Sequence, residues 1–122
     1  IKKTPFEEGM AAYNDGNFSK AVEKLSEATQ VKPEFGEAYF YLGISYLMIE
    51  DEGRAIDALQ KSAVLLKGYP FGEQSNWYLG MAYLKLGKGG KALKEFQRVV
   101  DLDGPYKVNA ERMIEKIKSI NE

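Results

Sequence analysis

Apolar residues recur along this chain at helical rather than strand spacing. From Ala38 to Ile49 nearly every position is apolar. From Arg54 to Leu66 the residues Ala55, Ile56, Leu59, Ala63 and Leu66 return at intervals that keep them on one side of a helix. Polar turns break the pattern at Asn14-Asp15-Gly16-Asn17, Glu50-Asp51-Glu52-Gly53 and Gly87-Lys88-Gly89-Gly90, so the helices are expected in antiparallel pairs. Thr4-Pro5-Phe6-Glu7 reads as a capping box with proline at the first helical position, which starts the first helix there. Pro33 and Pro105 are expected to open later helices in the same way, and Asp51 to cap the fourth.

The pairs repeat. Gly9, Gly43 and Gly80 lie 34 and then 37 residues apart. Ala21, Ala55 and Ala92 keep both spacings, as do Leu25, Leu59 and Phe96, while Tyr46 matches Tyr83. Three anchors holding one register define repeats at about 2–35, 36–69 and 73–105 inside a single domain, 1–122. The three additional residues fall in Lys67-Gly68-Tyr69-Pro70, expected to be a turn that takes an insertion at small cost. Glycine on one helix facing alanine on the next lets the pair approach closely, with Leu42, Tyr46 and Leu59 filling the space between. A seventh helix, 106–120, carries Met113, Ile114, Ile117 and Ile120 on one side and charges on the other. It reads as the solvating cap that a stacked array requires.

These residues resemble the tetratricopeptide repeat family. Leu42-Gly43-x-x-Tyr46 with Ala55, Leu59 and Ala63, and Leu79-Gly80-x-x-Tyr83 with Gly87, Ala92 and Phe96, carry the pattern best. The first repeat carries Gly9, Gly16, Phe18, Ala21, Leu25, Ala28 and Pro33. Departures are Glu8 in place of the usual Leu, no first-helix Trp in register (Pro5, Tyr39, Asn76), and Gly89-Gly90 in place of an aromatic. The glycine pair is expected to loosen the start of the sixth helix. The resemblance implies an all-α fold: a right-handed superhelical array of three helix-turn-helix repeats plus a C-terminal capping helix, about seven helices in all. It also implies a concave groove, lined by the first helix of each pair, that holds a peptide or a partner's helix.

In each first helix a second apolar stripe runs beside the core stripe. It comprises Phe6, Met10 and Tyr13, then Phe40, Ile44 and Leu47, then Trp77, Met81 and Leu84. The spacing keeps each trio on one face, and by the family's geometry that face is the concave one. Stacking would give three ladders, with Met10, Ile44 and Met81 in the middle where many relatives carry a polar Asn. Lys3, Asn14, Glu37, Gln74 and Lys85 would form the polar rim. The expected function is therefore a protein-interaction scaffold that takes an apolar or amphipathic peptide or helix into this groove. Self-association through the same surface is one alternative, since nine large apolar groups exceed the exposed patch a monomer usually carries; a soluble repeat domain of a membrane-tethered cell-envelope protein is the other. The subgroup of the family that grips acidic chaperone tails does so with Lys, Asn and Arg. Here Phe6, Met10, Ile44, Gln74 and Tyr78 stand at the candidate places, and no carboxylate clamp is expected.

Composition narrows the chemistry further. The chain has neither His nor Cys, which removes the commonest general base, the thiolate nucleophile and the usual transition-metal ligands. No enzyme activity, cofactor or metal is expected. A net charge of −1 gives no pull toward nucleic acid. The stretch Lys85, Lys88, Lys91, Lys94, Arg98 reads as a solvated face. No apolar run reaches the length of a membrane span, so no direct membrane insertion is expected in this segment. The first residue is Ile1 rather than Met, and a processed or trimmed product is expected. The compartment stays open: cytoplasm, or the bacterial periplasm and cell envelope if an upstream signal or anchor was removed. Tyr69-Pro70-Phe71 and Gly104-Pro105-Tyr106 look like repeat starts in tethered bacterial proteins of this type.

Overall fold

In the computed structural model, which describes residues 1–120, the chain folds into seven helices. They are α1 (Pro5–Asn14), α2 (Phe18–Val31), α3 (Gly36–Met48), α4 (Glu52–Leu65), α5 (Pro70–Lys85), α6 (Gly89–Leu102) and α7 (Lys107–Ile120). No strand occurs among the described residues, and no helix among them is long and apolar enough to cross a membrane. Each helix packs on the next in sequence, and α1 also touches α3 while α3 touches α5. The second helices of successive pairs do not meet to that extent. The array therefore curves, with α1, α3 and α5 on the inside.

The helix ends follow from local chemistry. The Thr4 hydroxyl accepts the Glu7 N–H at 3.1 Å while the Glu7 carboxylate accepts the Thr4 N–H at 3.1 Å, closing the capping box. Asn17 caps α2 and Asp51 caps α4 through their side-chain oxygens. α6 starts at Gly89 with no side chain capping it. Only Pro5 and Pro70 open helices. Pro33 and Pro105 instead lie in the turns ahead of α3 and α7, where a fixed φ serves the turn rather than the first helical residue.

The insertion between the second and third repeats is not a mere turn. Pro70, Phe71 and Gly72 are helical and lengthen α5 to 16 residues, against 13 in α3 and 10 in α1. The added turn brings Phe71 onto Phe40, with ring centroids 4.8 Å apart and nearly parallel, and within 5.8 Å of Tyr41. Serines sew the same junction. The Ser62 and Ser75 hydroxyls are fully buried and 2.7 Å apart, and each also lies within donating distance of a main-chain carbonyl of its own helix, Leu59 at 3.0 Å and Phe71 at 2.6 Å.

Close approach within each pair depends on the repeated glycines. A Cβ on Gly43 would fall 2.6 Å from the Leu59 side chain, and one on Gly80 would fall 2.6 Å from the Phe96 ring. Both partners are fully buried and have nowhere to go. The core is one cluster spanning the second and third repeats and the cap, from Phe40 and Leu59 to Phe96 and Ile117, and a smaller one around Leu25, Leu42 and Ala58. Tyr41 and Tyr46 pack on both and join them. In α7 the side turned inward is Ala110 and Ile117, with Met113 and Ile114 half-buried. Ile120, expected on that side, is 82% exposed because the helix outruns α6 there.

One charge is buried in this core. Glu95 is 7% exposed; its Oε1 accepts from Arg98 at 2.8 Å, and Oε2 has no hydrogen-bond partner among the described residues. The second repeat has Ala58 at the matching position. Desolvation pushes the Glu95 carboxyl above its ordinary range, and Arg98 pulls it back only in part. As pH rises from about 4.3, the unfolded chain gives up this proton before the folded chain does, so the group's contribution to stability falls through that window. Glu95→Gln is therefore expected to gain in melting temperature over the parent as pH rises from 4 to 7. Thermal melts of both proteins across the series check it; a difference that shrinks with pH would refute the assignment.

Candidate functional site

The inner face is built by α1, α3 and α5. Residues three, four and seven apart share a helix face, which sets Tyr41, Ile44 and Met48 together on α3 and Tyr78, Met81 and Lys85 together on α5. Exposure then separates the nine apolar candidates. Phe6, Met10 and Tyr13 on α1, Ile44 and Leu47 on α3, and Trp77 and Leu84 on α5 are all half-buried. Met81 is open, at 39% exposure. Phe40 is different: at 4% exposure it is core, stacked under Phe71 from the added turn of α5.

The middle ladder is thus lined but not sealed. Met10 packs on the smaller core cluster with Phe6 and Tyr13, Ile44 packs on the larger, and Met81 stands proud of it. Trp77 leans on Phe96 at 5.2 Å and on Tyr106 at 5.7 Å, so its ring is half scaffold and half surface. Phe6 rests against Phe35 at 4.5 Å.

Two side chains outside the periodic stripe belong to this face. Tyr41 meets Tyr13 edge-on at 5.1 Å, and Tyr78 meets Phe40 at 6.2 Å. Both are half-buried. Burial raises the phenols of Tyr13, Tyr41 and Tyr78 above their ordinary range. Tyr13 is raised further by the Tyr41 and Tyr78 hydroxyls, Tyr41 by Glu37, and Tyr78 by Tyr106. The three phenols therefore stay protonated. The apolar stripe leaves out Tyr41 and Tyr78 because they sit on its flank, and of the two only Tyr78 is reached, through the family's clamp positions. The signal that would have found them is their matching place, two residues before Gly43 and Gly80.

The rim is mixed. Lys3, Asn14 and Glu37 are exposed, and Gln74 is half-buried. Lys85 is already engaged: its ammonium lies 2.9 Å from Glu52 and 3.7 Å from Glu50, bridging α5 to the start of α4 and the turn before it. That hydrogen bond holds the Glu52 carboxyl below its ordinary range and the Lys85 ammonium above its own. No group of three or more acidic residues is placed to hold a metal ion among the described residues.

A separate cleft of about 900 Å³ lies on another side, where Ala63, Val64, Tyr69 and Leu102 surround the turn ahead of α5. Two of its polar groups are taken up internally. Glu73 accepts the Tyr106 N–H at 2.9 Å, and Arg98 is paired with Glu95. The concave face, with three half-buried phenols and an open methionine, is the better candidate.

Residues 6–73 match one tetratricopeptide repeat family model and residues 74–103 match another. No curated protein matches the chain in sequence. Among solved structures the chain is similar to MamA, with 25% identity and a TM-score of 0.87 over 96% of this chain; it spans 66% of that one. It is also similar to the Yersinia enterocolitica type III secretion chaperone SycD in complex with a peptide of the translocator YopD. There the identity is 15% and the TM-score 0.86, over 97% of this chain and 92% of that one. The first tetratricopeptide domain of Spaghetti (RPAP3), bound to the HSP90 peptide SRMEEVD, is similar at 19% identity and a TM-score of 0.82. That match covers 95% of this chain and 89% of the other.

Proposed function

The chain belongs to the tetratricopeptide repeat family, and from that premise we propose that it is a protein-interaction module. Its concave face would take an apolar or amphipathic segment of a partner. The observation that carries this reading is the open middle ladder. Met10, Ile44 and Met81 line a hollow where an isolated fold would gain by covering them, and full burial of one such side chain is worth roughly 1.5–3 kcal/mol. Methionine on such a surface adapts its shape to what lands on it. The same fold holds a peptide in the SycD and Spaghetti structures. In this chain the apolar floor and the paired Lys85 favour apolar over acidic segments.

Trp77 is the single tryptophan, so its emission reads this face directly. Titration with end-capped apolar peptides is expected to shift that emission. Met81→Glu is expected to weaken the binding about tenfold or more, since it sets a charge where an apolar contact forms. Its melting temperature should stay close to the parent's, because the side chain is exposed. Unchanged peptide affinity in Met81→Glu would remove the face as the site. Light scattering in the same experiments separates a second copy of the chain from a foreign partner: a concentration-dependent dimer abolished by Met81→Glu would assign the face to self-association.

A further inference from the structure

Apolar side chains alone do not describe the concave face, because three half-buried tyrosines stand on it. Tyr13 on α1, Tyr41 on α3 and Tyr78 on α5 come one from each inner helix. Tyr13 and Tyr41 pack edge-on at 5.1 Å, and Tyr41 and Phe40 link this pair to Tyr78 through contacts of 5.3 and 6.2 Å. None of the three hydroxyls makes a hydrogen bond to another described residue, although the buried Tyr83 accepts one from Gln60 on α4. We propose that these three hydroxyls read main chain: they select a segment that crosses the groove in extended form and carries no charge where it passes them. This rests on the concave face being the binding site, as proposed above.

The argument is one of hydrogen-bond accounting. A bound segment covers the hydroxyls, and a covered polar group without a partner is costly. A helix offers few free backbone groups except at its ends, so a helix laid across these tyrosines would leave phenols unmet. An extended segment presents free N–H and C=O groups along both edges, at about 3.3 Å per residue. Three inner helices side by side, each about 10 Å across, accommodate about nine such residues. A phenol both donates and accepts, so it meets either backbone group.

Charge complementarity fixes the rest. The phenols remain neutral, and no lysine or arginine stands on the floor between Met10, Ile44 and Met81. Glu37 lies close enough to Tyr41 to raise its phenol. A carboxylate on the segment would meet that acid and find no cation on the floor: Lys85 is bound to Glu52, and Lys3 stands on the rim ahead of α1. The occupant is therefore an uncharged, apolar, extended stretch of a partner protein rather than an acidic tail or a preformed helix.

Fluorescence anisotropy with three labelled, end-capped nine-residue peptides tests this. One alternates Val and Thr, one is Leu and Ala held helical by a side-chain staple between positions four apart, and one alternates Val and Glu. The Val/Thr peptide is expected to bind at least about tenfold more tightly than the others. Methylating its backbone nitrogens, or replacing Tyr13, Tyr41 and Tyr78 together by Phe, is expected to cost about tenfold or more. The triple variant keeps the rings, so its melting temperature should hold near the parent's, and each single Phe variant should show a share of the loss. Equal affinity of parent and triple variant, or preference for the helical or acidic peptide, overturns the proposal. If Met81→Glu still weakens that binding, the groove reading survives on its own; if no peptide binds at the highest attainable concentration, both fall.

Discussion

Gly72→Ala is expected to lower the melting temperature by about 10 °C, the loss of roughly 3 kcal/mol. A Cβ at this position would fall 2.3 Å from the Leu66 carbonyl oxygen and 2.9 Å from its carbon. Those are backbone atoms in a fixed turn: the Leu66 carbonyl accepts the Tyr69 N–H at 2.9 Å, and the Tyr69 carbonyl accepts the Gly72 N–H at 2.9 Å. Neither strand of that turn can retreat without giving up its bonds. Alanine's better helix propensity, worth about 1 kcal/mol, offsets only part of the clash. Gly53→Ala is the control, since nothing lies within 4 Å of its would-be Cβ, and it should leave stability unchanged or slightly raised. Melts of the two variants decide the matter, and equal melting temperatures would refute it. The same clash would separate α5 from α4, so loss at this glycine should also unseat Phe71 from Phe40.

Trp77→Ala is expected to cost about 3 kcal/mol of stability as well as any binding at the concave face. The indole packs on fully buried Phe96 and on Tyr106 near the start of the cap, so its removal leaves a cavity between the third repeat and α7. Sequence periodicity alone places Trp77 in the concave stripe with Met81 and Leu84. The contacts make it both anchor and support. Trp77→Phe restores much of the volume and should recover most of the stability, whereas Met81→Glu affects binding alone. If Trp77→Ala melted like the parent, the ring would have no structural share.

The periodic pattern specified the repeats because their physics is local. Thr4 with Glu7, Asn17, and Asp51 hold helix starts within four residues of themselves. Gly43 opposite Leu59 and Gly80 opposite Phe96 reflect contact between helices joined by a short turn. The same reasoning erred where one proline was read like another. Pro5 and Pro70 open helices, and Pro33 and Pro105 do not, because a proline fixes φ equally well in a turn.

What the sequence determined by itself is the period, the seven helices and the side of each that is apolar, since these follow from propensity, capping and spacing along one chain. What only the tertiary structure decided is which of those apolar residues remain uncovered. Phe40 and Ile44 share a stripe, yet Phe71 closes over the first and leaves the second half-open. Tyr41 and Tyr78 enter the concave face from its flank, and Lys85 leaves the rim for Glu52. Helical period says which side chains point the same way. What lies opposite them depends on how far successive helices slide and tilt, and that is set by packing across repeats rather than within any one of them.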